Sequence, residues 1–229
     1  MLFVIDFDGT VAPVDTVDAL LEEFGHPRWR VVEQQWVEGR ISSRECMAQQ
    51  MALVDGDPEA LEGFLHSVAI DPSFEAFLRH VRSFAEVAVV SDGIDYPIRH
   101  ALRELQPPVP VYSNRVALCG RGLSITFPHF EPACAVQSGV CKCAVAAGIN
   151  PGRKSPVILI GDGRSDHCLA RSADFVFAKA SLRRFCEAQN IAYAPFDTFD
   201  DVLSAVQGWD ALEHEEKPWE SNRYLTSVP

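Results

Sequence analysis

The sequence predicts an α/β architecture, a parallel sheet between layers of helices, with a small helical insertion after the first strand. Three observations predict it. Short apolar runs recur and end abruptly in acids and glycine; helical patterns stand between them; and the stretch from about residue 16 to residue 70 holds amphipathic patterns but no strand. Strands alternating with helices make a parallel sheet covered on both faces, and such strands read as continuous apolar runs.

The first run is Leu2-Phe3-Val4-Ile5, which leads into Asp6-Phe7-Asp8-Gly9-Thr10. Two more follow: Val87-Ala88-Val89-Val90 before Ser91-Asp92-Gly93, and Val157-Ile158-Leu159-Ile160 before Gly161-Asp162-Gly163. Asp174-Phe175-Val176-Phe177-Ala178 is a fourth and Ile191-Ala192-Tyr193-Ala194 a fifth. Helices are expected over Phe74 to Phe84, Tyr96 to Leu105 and Leu182 to Gln189. Val109 to Phe130, with its Gly120-Arg121-Gly122 turn, reads as a β-hairpin. The insertion carries amphipathic stretches at Val17 to Phe24, Trp29 to Val37, Ser43 to Leu53 and Pro58 to Leu65. The expected organisation is therefore a core of residues 1–15 and 71–212, a helical cap at 16–70, and a polar tail at 213–229.

Bulk composition narrows the function. The 229 residues suit one domain with a modest insertion, and a hydrophobic fraction of 47% supplies a real core. A net charge of −12 repels polyanions, so nucleic acid is not an expected partner. No apolar run reaches the length of about 18 residues that a membrane span needs. Met1 to Ile5 is too short for a signal-peptide core. Seven cysteines without an export signal point to reduced thiols in the cytoplasm. His129, Cys134, Cys141 and Cys143 include enough soft ligands for zinc, but their spacing fits no zinc pattern, and packed thiols are the expectation.

Ligands of such sheets bind beyond the strands' C-terminal ends, which is where the acids stand. Asp6 and Asp8, one residue apart at a strand exit, can converge on one pocket, and Asp162 and Asp166 follow another strand in the same way. Like-charge pairs about 4 Å apart cost about 4 kcal/mol at an effective dielectric near 20, a cost that a bound cation removes. Carboxylate and carbonyl oxygens suit a hard ion, and beside a phosphate they suit Mg²⁺. Phosphoryl transfer then needs a nucleophile, a proton donor and charge on the equatorial oxygens. Asp6 can attack phosphorus, and Asp8 is placed to protonate the leaving group and later deprotonate water. Ser91 can donate to a phosphate oxygen, with the backbone N–H groups around Asp92 and Gly93 beside it. Lys142 and Lys154 are both candidates for the neutralising lysine.

Blander roles exist for several of these residues. Asp-Gly favours tight turns, Ser91 and Asp166 can cap helices, and Asp15 or Asp18 can cap the first helix of the insertion as readily as Asp15 can touch substrate. A calcium-loop reading fails, because Val11 and Val17 occupy the positions that need glycine and glutamate.

Asp6-Phe7-Asp8-Gly9-Thr10, Ser91-Asp92-Gly93 and Gly161-Asp162-Gly163-Arg164-Ser165-Asp166 resemble motifs I, II and IV of the haloacid dehalogenase superfamily. The helical insertion resembles the C1 cap of its Rossmann-like fold. That resemblance implies Mg²⁺ ligation by Asp6, the Asp8 carbonyl and Asp162, with Asp166 holding the metal's waters. It also implies phosphate chemistry, since members that cleave carbon–halogen bonds lack the second aspartate. The chain is similar to the phosphoserine phosphatase branch, and most of all to the methionine-salvage phosphatases acting on 2-hydroxy-3-keto-5-methylthiopentenyl-1-phosphate. Pro128-His129 with Gly139-Val140-Cys141-Lys142, Asp174 to Lys179 and Cys186-Glu187-Ala188-Gln189-Asn190 carry that likeness. It implies that Lys142 rather than Lys154 is the lysine of motif III.

Asp15 matches the cap acid of phosphoserine phosphatases, but Ala48 and Gln49 stand where their carboxylate-gripping arginine is expected. Arg40 and Arg44 are the substitutes if the cap helix is registered differently. The expectation is thus a phosphomonoesterase for a small phosphorylated metabolite, 2-hydroxy-3-keto-5-methylthiopentenyl-1-phosphate or a related enediol or sugar-like phosphate, with a phosphoserine-phosphatase-like enzyme on an amino-acid phosphate as the alternative. A phosphomutase is the enzymatic rival, and a phosphoryl-sensing module is the rival from another class.

Overall fold

The computed structural model describes residues 1–211; the expected tail at 213–229 lies outside the described residues. A sheet of seven strands runs through the molecule: β1 (Leu2–Ile5), β2 (Glu86–Ile94), β3 (Val111–Cys119), β4 (Gly122–Thr126), β5 (Val157–Gly161), β6 (Phe175–Ala178) and β7 (Ala194–Pro195). Their order is β4-β3-β2-β1-β5-β6-β7, all neighbours pairing parallel except the β3–β4 hairpin. The chain builds one side of the sheet from β1 through β2 and β3, then returns to build the other from β5. β1 is therefore the strand where the winding reverses, the position at which a crevice opens beyond the strand ends.

The pleat sorts the strand residues between two cores. Phe3, Ile5, Val87, Val89, Ile158, Ile160, Phe175 and Phe177 point one way, onto α5 (Phe74–Val81), α6 (Asp95–Ala101) and α10 (Phe199–Val206). Leu2, Val4, Ala88, Val90, Val157, Leu159, Val176 and Ala178 point the other way, onto α7 (Lys142–Ile149), α8 (His167–Ala170) and α9 (Ala180–Gln189). Burial of each such side chain contributes about 1.5–3 kcal/mol, so this alternation fixes the register of β1.

Four helices fill the insertion: α1 (Thr16–Phe24), α2 (Trp29–Val37), α3 (Ser43–Met51) and α4 (Pro58–His66). Asp15 caps α1, Ser42 and Glu45 form a capping box on α3, and Asp57 caps α4 ahead of Pro58. Their apolar faces make a third cluster with Val17, Leu20, Leu21, Trp29, Met51, Leu61 and Leu65. Ile94 from β2 and Leu123 from β4 complete that cluster, so the hairpin braces the insertion.

Several elements depart from expectation. β2 does not stop before Ser91 but continues to Ile94, with a register shift between Val90 and Ile94 that carries Ser91, Asp92 and Gly93 as an irregular strand end. α6 ends at Ala101, short of Leu105. β7 begins only at Ala194. α10 was not anticipated, although Thr198 and Asp201 form a capping box at its start.

Candidate active site

Asp6 continues the Leu2–Val4 parity of β1, so its side chain leaves the strand toward α7. There the Lys142 ammonium lies 2.8 Å from Asp6 Oδ1 and 2.5 Å from Asp166 Oδ1, with all three side chains almost wholly buried. Burial alone would lower the lysine's pKa, but attraction to Asp166 and Asp6 outweighs it and holds the group above the ordinary lysine range. Lys142 is charged at any physiological pH. Lys154 stands on the exposed surface, its backbone N–H bonded to Asn150.

Asp8, on the same side as Asp6, points into a different polar nest. Its Oδ1 accepts the backbone N–H of Thr16 at 2.9 Å and the Thr16 hydroxyl, and its Oδ2 accepts the Ser91 hydroxyl at 3.3 Å. Burial, with Asp15 adding to it, nevertheless pushes the carboxyl up to about 7. Gly93 is required here by close approach: a Cβ on it would lie 2.0 Å from Asp8 Oδ2. Gly9, at φ +68°, lies close to Asp162, where a Cβ would fall 2.5 Å from Oδ2.

Asp6, Asp162 and Asp166 each present a carboxylate oxygen, and these atoms lie within 4.8 Å of one another. Asp166 has both oxygens committed, one to Lys142 and the other to the backbone N–H groups of Asp162 and Gly163 at 3.2 and 3.0 Å. Asp162 Oδ1 accepts the Thr10 hydroxyl at 3.3 Å. Asp6 and Asp162 thus each keep one oxygen with no hydrogen bond among the described residues. Burial raises Asp6 well above the usual carboxylate range, and burial with repulsion from Asp166 lifts Asp162 to about 6. Buried hard oxygens short of positive charge are the donor set of a hard divalent cation.

Asp92 has its side chain otherwise engaged than expected. Its Oδ1 accepts the Val140 N–H at 3.0 Å, its Oδ2 accepts the Ser43 hydroxyl at 2.8 Å, and Asn114 donates to its carbonyl at 2.6 Å. It ties the loop before Lys142, strand β3 and helix α3 to the end of β2, so that this stretch can meet a phosphate only through backbone N–H groups, of which that of Gly93 donates to Ser91 Oγ at 2.9 Å. Asp15 borders the cavity while its Oδ1 caps α1 through Val17 and Asp18. Of His129, Cys134, Cys141 and Cys143, the Cys134 and Cys141 thiols contact each other and the Cys141 N–H donates to the His129 carbonyl at 3.1 Å, but among the described residues the four do not converge on one point as metal ligands would. His129 packs edge-on to Tyr112, Cys134 faces Ser138, Cys143 contacts Cys168 at 3.1 Å, and all seven cysteines are free.

Two neighbours of the site were not anticipated. Lys179 reaches toward the Thr10 carbonyl and the Asp162 charge from the end of β6, a strand-end position that could have flagged it. Arg164 reaches the cavity through a contact with Trp36 that no local pattern announces.

Above the carboxylates opens a cavity of about 340 Å³. Asp6, Asp8, Ser91, Gly93 and Asp162 form its floor, and Asp18, Glu33, Trp36, Met47 and Gln50 face them from the insertion. Arg40 is paired with Glu38 on the surface and Arg44 lies 4.2 Å over the Phe130 ring; neither borders the cavity.

A parallel sheet with paired carboxylates at the strand where its winding reverses defines a class of hydrolase, and comparison gives that class its name. Residues 3–171 match the family model of the haloacid dehalogenase-like hydrolases, and the chain belongs to that family. A 2-hydroxy-3-keto-5-methylthiopentenyl-1-phosphate phosphatase from an Exiguobacterium species is 31% identical over 209 residues, covering 90% of this chain and 96% of its own. Among solved structures, phosphoserine phosphatase from T. onnurineus is similar with a TM-score of 0.68 at 14% identity, covering 93% of this chain and 95% of that one. A substrate-bound phosphoserine phosphatase complex gives 0.66 at 17% identity, covering 89% and 96%. These structures share the fold.

Proposed function

We propose that this protein, a phosphatase of the haloacid dehalogenase-like family, hydrolyses a small phosphomonoester through an aspartyl-phosphate on Asp6, with 2-hydroxy-3-keto-5-methylthiopentenyl-1-phosphate as the substrate. The observation that carries the chemistry is the division of labour between two carboxyls one residue apart. Asp6 is held beside a buried lysine, and Asp8 is held near a neutral-range pKa. The Asp6 carboxylate attacks phosphorus while Asp8 gives its proton to the departing oxygen. Asp8, now ionised, takes a proton from the water that attacks the acyl-phosphate, and inorganic phosphate leaves. Lys142, the Ser91 hydroxyl and the backbone N–H groups near Gly93 balance the charge on the phosphoryl oxygens.

Asp6 and Asp162, each with an oxygen to spare, would hold Mg²⁺ with the Asp8 carbonyl as a further ligand, and Asp166, whose oxygens hold Lys142 and the backbone of the Asp162 loop, would steady them from behind. The ion would supply positive potential for the anionic phosphate. The substrate assignment rests on the curated relatives together with the recess itself, where Val17 and Met47 offer an apolar wall suited to a methylthio tail. We read residues 16–70 as the cap of a core formed by 1–15 and 71–212. The described helices are too short and polar to cross a membrane, and the free thiols suit a cytoplasmic enzyme of metabolite phosphates.

The test is release of inorganic phosphate from p-nitrophenyl phosphate with and without Mg²⁺. Activity that depends on the ion and falls at least ~10³-fold in Asp6→Asn is expected. An active Asp6→Asn protein would sink the mechanism, and transfer of phosphate between positions without its release would indicate a mutase.

A further inference from the structure

Arg164 stands at the turn after β5, two residues beyond Asp162, yet its guanidinium does not join the carboxylates of the floor. It lies 4.5 Å from the centre of the Trp36 ring, on helix α2 of the insertion, and borders the catalytic cavity. Among the described residues it forms no ion pair and no side-chain hydrogen bond, so its fork of donors is held by stacking and left unspent. Asp15, Asp18 and Glu33 line the same recess, and Gln50 is already bonded to Glu33 at 2.8 Å. One planar donor group therefore faces an arc of acceptors across the space above the phosphate position.

We propose that Arg164, positioned by Trp36, is the specificity-determining contact for the organic part of the substrate, which is an uncharged chain bearing carbonyl and hydroxyl oxygens. This rests on the phosphatase reading given above. A carbonyl oxygen accepts from Arg164, and hydroxyls donate to Asp18 or Glu33. A carboxylate without its own counter-charge meets one cation but three acids, so an organic part carrying net negative charge is disfavoured. The discriminating group thus comes from the core, across the cavity from the cap position where the family's carboxylate grip was sought. Trp36 acts through Arg164 and is a positioning residue.

The experiment compares kcat and KM for dihydroxyacetone phosphate, phosphoserine and p-nitrophenyl phosphate in the wild type, Arg164→Ala, Arg164→Lys, Trp36→Leu and Trp36→Phe. The wild type is expected to prefer dihydroxyacetone phosphate over phosphoserine at least ~10-fold in kcat/KM. Arg164→Ala should lose at least ~10-fold more on the hydroxy-ketone phosphate than on the aryl ester, chiefly through KM. Arg164→Lys should recover only part of that loss, because an ammonium lacks the planar fork. Trp36→Leu should reproduce the loss in weaker form, and Trp36→Phe should restore it. Equal losses on both esters, or a wild-type preference for phosphoserine, overturn the proposal while the phosphatase reading stands. Failure of the wild type to hydrolyse even the aryl ester overturns the phosphatase reading, and this inference with it.

Discussion

In the proposed reaction Asp8 meets two opposed demands: its carboxyl must hold a proton as the leaving group departs and take one from water as the acyl-phosphate is hydrolysed. A pKa near 7 serves both, and its cause is burial with the charge of Asp15 adding to it, against three hydrogen-bond donors that pull the other way. The need for that proton depends on the ester. An alkoxide leaving group requires it, and a nitrophenolate departs without it. Asp8→Asn should therefore cost about 10²–10⁴ in kcat/KM on an alkyl phosphate and distinctly less on p-nitrophenyl phosphate. Equal costs would remove Asp8 from the proton-transfer step. That Asp6, Asp8 and Asp162 would meet at one cavity was legible in the sequence, because an Asp-Gly turn explains one strand exit alone but not acids at the exits of separate strands of one sheet. Asp92 was legible only in part. Its place at the strand end could be read, but its bonds to Ser43, Val140 and Asn114 depend on three segments distant in sequence.

At the scale of elements, periodicity located all four helices of the insertion, since caps and apolar faces are local signals. It failed for α10, an eight-residue helix that follows immediately on the short β7. Yet α10 seals one core. Phe199 is fully buried, with ring centroids 4.7 Å from Phe74 and 5.1 Å from Phe77. Phe199→Ala should cost about 3–5 kcal/mol, and at about 2–4 °C per kcal/mol for a chain of this size the Tm should fall by about 10 °C. Thermal denaturation followed by circular dichroism measures it; a change below about 2 °C would show that α10 is not part of the cooperative core. The end of β2 was misjudged for a related reason. Its register slip places Ser91 and Gly93 against Asp8, and strand pairing of that kind has no local signature.

For the whole molecule, the order of the strands and the reversal at β1 could not be read from apolar runs alone, because parallel strands are joined through space by crossovers. The overall charge of −12 also takes on a site-level meaning, since the site's own buried carboxyls add to the strain of like charge. Asp8 is raised to about 7 from an ordinary value of 3.8, so between these limits the folded protein holds a proton that the unfolded chain has released. The unfolded state binds fewer protons there, and stability contributed by this group falls as pH rises from about 4 to about 7. Asp8→Asn removes that dependence. Its Tm relative to the wild type should rise between pH 5 and pH 8 by about 2–4 °C or more, measured on chelator-treated protein. A constant difference across that range would place the Asp8 pKa near its ordinary value.

The position of β1 has a consequence for how the molecule comes apart. Its amides are bonded to neighbours on both sides and covered by both main cores, so amide protons at Phe3 and Val4 should exchange with deuterium only through global unfolding. The insertion rests on a smaller cluster, shared with Ile94 and Leu123 at the sheet's edge, and reaches the strand ends of the site through hydrogen bonds such as Ser43 to Asp92. Its amides should exchange through cheaper, partial openings. Asp6 thus keeps its place while the roof above it breathes, and the two exchange regimes would appear in one deuterium-labelling time course as a slow strand and faster helices.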